Sequence, residues 1–157
     1  MKIKGMYPLL RTDNDLILLF LRVIAGGVIF PYGMQKLFGW FDNFGGGVGI
    51  KQSLAQLHAK GIPKVFGWLI IVGQSIGSLA LITGFMGRFA AAANFVIFTG
   101  AMLVHLRDGW TLNWIGKKQG EGIEYFVLLL SILLVVMIRG SGAVSFDHWL
   151  SSNFLSR

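Results

Sequence analysis

The sequence predicts an all-α fold, an integral membrane four-helix bundle with a short interfacial amphipathic helix between spans 1 and 2. Three observations carry this. Of the 157 residues 54% are hydrophobic and 13% charged, against roughly 25% charged in an ordinary soluble domain. The mean hydropathy is +0.66. Four apolar runs, at about 16–39, 63–83, 88–106 and 123–139, approach the roughly 20 residues a helix needs to cross hydrocarbon. Four such runs use up around half the chain, so residues 1–157 read as one domain.

Taken in order, residues 1–14 are mixed and basic, as in a segment lying along the interface. The run at 16–39 exceeds the apolar core of a signal peptide, lacks a small-x-small cleavage site and is followed by further spans, so it reads as retained. It carries Arg22, an expensive residue in hydrocarbon, and on a helix Gly26, Gly33 and Lys36 share its face while Ile17, Leu21, Ile24 and Val28 cover the other. The first face should meet protein, and Pro31 should bend the helix before Tyr32. Trp40, Phe41 and Phe44 suit headgroup level, and Gly45-Gly46-Gly47 breaks the helix.

Residues 50–60 place Ile50, Leu54 and Leu57 at helical spacing between Lys51, Gln52, Gln56 and Lys60, a segment too short to span and suited to the interface. Gly61-Ile62-Pro63 ends it, and Pro63 opens the second span, whose Gly73, Gly77, Ser78 and Ala80 allow close helix approach. The link from Gly84 to Arg88 forces an antiparallel hairpin with the third span, which aligns Asn94, Phe98, Ala101 and His105. A loop anchored by Trp110 and Trp114 leads to the fourth span, with Glu124 at its start, Arg139 at its end and a short mixed tail beyond. No internal repeat is evident.

The formal charge of +7 sits at span ends rather than in a patch with interleaved aromatics. Anionic lipid headgroups, not nucleic acid, are therefore the expected counter-charge. With no cysteine, thiolate chemistry and iron–sulfur ligation on this chain's own thiols are excluded. The three histidines are too widely spaced to suggest a metal site. Four spans put both termini on one side, but basic residues are nearly balanced across the membrane, and the positive-inside rule gives no orientation.

Laid antiparallel, the spans sort their polar residues into layers. Arg22, Arg88, Arg139 and Asp147 fall on the terminal side, Gln74 and Asn94 in the middle, and Tyr32, Gln35, Lys36, His105 and Glu124 on the loop side. This is the pattern of a polar seam or small cavity, and also of hydrogen bonds that merely join helices. Arg22 needs a counter-charge, water or a ligand; Asp147 and Asp15 are the candidate acids, and snorkelling to headgroups is the alternative. Lys36, His105 and Glu124 read equally as a proton-active binding group or as a structural Lys36–Glu124 salt bridge.

The chain resembles the DoxX family of small four-helix bacterial membrane proteins. The resemblance lies in Leu21-Arg22, Gly33-Met34-Gln35-Lys36-Leu37-Phe38-Gly39, Gly61-Ile62-Pro63, Gly84-Phe85 with Arg88, Val104-His105-Leu106, Glu124-Tyr125 and the tail from Gly140 to Asp147. It implies a multi-pass protein of the bacterial cytoplasmic (inner) membrane with cytoplasmic termini, associated with oxidoreductase systems. It also implies a membrane subunit or binding protein, with a quinone as cofactor class and a redox protein or a second copy as partner, rather than a self-sufficient enzyme. Two positions depart from the family pattern: Tyr32 stands where a histidine often precedes the glycine, and Gln74 where a glutamate is common. Both weaken the case for proton-coupled chemistry. The expected ligand-binding residues are Arg22, Tyr32, Gln35, Lys36, Gln74, His105 and Glu124, with no catalytic residue assigned. A ligand-free assembly factor and a small-molecule transporter are the alternatives.

Overall fold

The computed structural model describes residues 10–42, 47–117 and 120–155. The expectations for residues 1–9, Phe44, Gly45 and Gly46 lie outside these. The elements are α1 (Leu16–Phe38), α2 (Gly49–Ala59), α3 (Lys64–Thr83), α4 (Gly87–His105), a 3-10 turn (Leu106–Asp108), α5 (Glu124–Arg139) and α6 (Phe146–Leu150), which runs into a π turn (Ser151–Leu155). Among the described residues there is no strand.

Helices α1, α3 and α4 are long and apolar enough to cross a membrane. Helix α5 has 16 residues and rises about 24 Å, short of the roughly 30 Å hydrocarbon core, yet it completes the bundle. Helix α1 packs on α3, α3 on α4, α4 on α5, and α5 closes the ring on α1. Its interior holds Ala25, Ile29, Leu81, Ala91, Leu133 and Val136, all fully buried. The outside stays apolar, with Ile17, Val65, Val96 and Leu128 each more than 60% exposed, as a lipid-facing surface requires.

Glycines set the closest approaches. A Cβ at Gly26 would lie 2.8 Å from the Ser78 carbonyl oxygen, and one at Gly33 would lie 2.6 Å from the Ser75 Cα. The expected small face of α1 is thus the one that meets α3, while Ile17, Ile24 and Val28 look outward. The helix continues through Pro31. Asp15 caps its start by accepting from the Ile17 and Leu18 amides at 2.8 and 3.4 Å. Helix α2 lies across the loop-side end, packed on both α1 and α3. Leu54 and Leu57 face Gly67 of α3, and Ser53 is buried with its hydroxyl donating to the Gly47 carbonyl at 2.8 Å. Lys51 and Lys60 remain exposed.

The two antiparallel pairs, α1 with α3 and α4 with α5, are fastened alike. Arg22 of α1 donates to the carbonyls of Leu81 and Ile82, just short of the α3 terminus. Arg88 of α4 donates to Met137 and Ile138, the corresponding positions before the α5 terminus. Each capped helix is followed by a glycine of positive φ, Gly84 or Gly140. Each also carries a serine bonded one turn back, Ser75 to Ile71 and Ser131 to Val127. This likeness between halves has no counterpart in a sequence repeat.

Candidate functional site

On the terminal side the structure answers the question of how a buried arginine is tolerated. Arg22 is 1% exposed. Its Nε donates to the Ser141 carbonyl at 2.7 Å, Nη1 to Leu81 at 2.9 Å and to Ile82, and Nη2 to Ala143 at 3.2 Å and Val144 at 2.6 Å. These carbonyls are the orphan acceptors of a helix end and a tail loop, where partial negative charge gathers. Neither Asp147 nor Asp15 forms the expected direct ion pair with it. Asp147, also 1% exposed, accepts instead from the Met86 and Gly87 amides at 2.7 and 2.8 Å and from the Ser141 hydroxyl at 2.5 Å. The two buried charges therefore grip the α3–α4 turn from either side, the cation at a helix C-terminus and the carboxylate at a helix N-terminus.

That grip dictates glycine at the turn. A Cβ at Gly84 would come within 3.0 Å of the Arg22 guanidinium carbon, and Gly84 has φ +68°. Val144 is held at φ +48°, a strained region for a β-branched residue, while its carbonyl binds Arg22 and its side chain is turned outward, 77% exposed. Beside it an open groove of about 500 Å³ runs between Thr83, Phe146, His148 and Trp149. Asp15 and Asp13 lie instead near Arg139, at 3.9 and 3.7 Å.

On the loop side the expected trio is not brought together as a cluster. His105 Nδ1 lies 2.7 Å from Asp108 Oδ2, and its ring stacks on Phe126 at 5.4 Å. Glu124 Oε2 accepts from the Leu112 amide at 3.2 Å, pinning the loop. Lys36 donates to the Tyr32 carbonyl one turn back at 3.3 Å and sits 5.8 Å from the centre of the Tyr32 ring. Among the described residues no Lys36–Glu124 salt bridge forms. Sequence reasoning missed Asp108, whose only signal was its place three residues after His105.

The middle layer is different, because buried polar atoms there are left over. Gln74 is 6% and Asn94 0% exposed. Asn94 Nδ2 donates to the carbonyls of Gly73 and Ala90, each at 3.0 Å. Gln74 follows Gly73 directly in α3. Tyr125 lies in the first turn of α5, at the loop-side end of the bundle. Gln74 Oε1, Asn94 Oδ1 and Tyr125 Oη are buried with no hydrogen-bond partner among the described residues. Gln35, from α1, is also fully buried.

No curated protein and no solved structure matches this chain. The family model described as DoxX matches residues 17–107, from the first span through the His105 turn and more than half of the chain. With an all-helical bundle whose outside is apolar and whose helices reach across hydrocarbon, that match identifies the chain as a membrane protein of the DoxX family.

Proposed function

We propose that this protein binds a small quinone-like ligand in the polar seam of its bundle and serves as a membrane component of an oxidoreductase system. One observation supports the reading above the others: the unpartnered buried atoms of Gln74, Asn94 and Tyr125. Burying such a group unpaired costs on the order of 1–3 kcal/mol, so a partner supplied from outside the chain accounts for atoms that the fold leaves unused. Tyr32, Gln35 and Gln74 are the residues best placed to line the ligand. Lys36, His105 and Glu124 serve the loop-side entrance, and Arg22 holds the bundle together.

By family resemblance the protein resides in the bacterial cytoplasmic membrane with its termini in the cytoplasm, and a redox protein or a second copy is its partner. The ligand-free assembly reading draws support from Arg22 and Asp147, which are satisfied by backbone groups and hydroxyls. The transporter reading has less behind it, because the tail folds over the terminal end of α3. Purification from native membranes followed by mass spectrometry of released small molecules tests the proposal. The expected result is a stoichiometric lipid-soluble quinone or quinol whose retention falls in Gln74→Leu. A folded protein that retains neither, and is not thermally stabilised by added quinone or quinol, would sink it.

A further inference from the structure

We infer that the groove on the terminal side seats an acyl chain of a bilayer phospholipid, which makes residues 144–152 an anchor in the membrane interface. This is independent of what the seam inside the bundle binds. The first support is level. Helix α3 has 20 residues, a rise of about 30 Å that matches the hydrocarbon core, so Thr83 at its end stands where acyl chains meet headgroups. Thr83 lines the groove and falls on the same face of α3 as Ile76 and Leu79. Both of those side chains are apolar and exposed. The groove therefore continues the lipid-facing surface of α3 past its last turn.

The other wall is one side of the tail, with Ser145, His148, Trp149 and Ser152 at helical spacing and Phe146 beside them. No lysine, arginine, aspartate or glutamate lines it. The lining hydroxyls donate to nearby backbone, Thr83 to the Leu79 carbonyl at 2.9 Å, Ser145 to Gly142 at 2.8 Å and Ser152 to Trp149 at 3.1 Å. A charged peptide would find no counter-charge here, whereas a hydrocarbon chain needs none. Phe146 and Trp149 are more than half exposed, and Phe85 on the α3–α4 turn meets the Phe146 ring at 6.5 Å, residue types that settle at the membrane boundary. The wall is fixed in place, because the Asp147 amide donates to the Gly84 carbonyl at 3.0 Å while its carboxylate holds the Met86 and Gly87 amides. Val144 gives a second, separate support. Its φ of +48° is costly for a β-branched residue, and a glycine would present the same carbonyl to Arg22 without that cost. Within the protein the valine side chain gains little burial. An apolar contact from outside the chain, in the groove that Val144 lines, accounts for it.

The test uses single cysteines, Val144→Cys, Leu79→Cys and Asp13→Cys, each carrying a bimane label in the full-length protein. The labelled proteins are reconstituted in phosphatidylcholine vesicles whose acyl chains are either unmodified or brominated near the headgroup. The expected result is that bromine quenches the label at 144 about as strongly as at 79 and about twofold or more beyond that at 13, as a face lying roughly 5–10 Å into the headgroup–acyl boundary requires. Phe146→Cys repeats the reading if the 144 variant loses native helical content. Quenching at both positions no stronger than at 13 would overturn the inference, whether the groove is then open to water or covered by a second copy or another protein. That outcome would leave the proposal for the seam untouched.

Discussion

At the scale of single residues, the two buried charges Arg22 and Asp147 act as fasteners between elements. The five carbonyls around Arg22 need a flat fork of donors, which lysine, a point charge with three donors, cannot reproduce. Arg22→Met should lower unfolding stability in mixed micelles by at least about 3 kcal/mol, with Arg22→Lys falling between; equal stability of all three proteins would show that the fork carries no load. Asp147→Asn should cost about 1–2 kcal/mol, because one of its two helix-start amides then faces a donor. Sequence alone pointed to the right residues and to the wrong partners. A carbonyl at a helix end belongs to every residue type, so nothing in the letters marks it as the mate of an arginine far away in the chain.

At the scale of elements, the spans and the interfacial helix were legible to within a residue or two, since apolar length, Gly84 and Pro63 punctuate them. The tail helix α6 was not, because its 5 residues are organised by Ser145 and by the burial of Asp147 rather than by any period. Helix contact was legible as a glycine stripe, and it can be tested within one helix. Gly33→Ala places a methyl against α3 backbone, whereas at Gly27 the space beyond is open for 4 Å. Gly33→Ala should destabilise by about 1–3 kcal/mol, and Gly27→Ala should be neutral or slightly stabilising. Matching losses in a thermal or denaturant series would mean that the α1–α3 approach is not a close one.

At the scale of the whole molecule, the absence of cysteine makes side assignment clean. Single cysteines at Asp13 and Ser152 should label with an impermeant maleimide from one face of the membrane, and those at Lys51 and Lys117 from the other. Labelling of position 51 together with 13 would contradict a bundle of four crossings. The burial of Gln74 and Asn94 within the bundle was legible in outline. The loop-side trio was not, because His105 and Glu124 each found a nearer partner in Asp108 and the Leu112 amide. Local pairing wins when the intervening loop folds back, and spacing along a helix does not reveal a loop's path.

The Arg22 contacts also impose an order on biogenesis. The first span leaves the ribosome carrying a cation whose acceptors are made later, Leu81 and Ile82 with the second long helix and Ser141, Ala143 and Val144 only after the fourth. Until the tail emerges, the nascent bundle holds a guanidinium only partly matched in a low-dielectric setting, the kind of flaw that membrane quality-control proteases recognise. Emergence of residues 141–144 is therefore the expected checkpoint. A chain ended after Arg139 should insert yet be degraded several-fold faster than the full protein in pulse-chase, and co-expressed Arg22→Met should not make that difference larger.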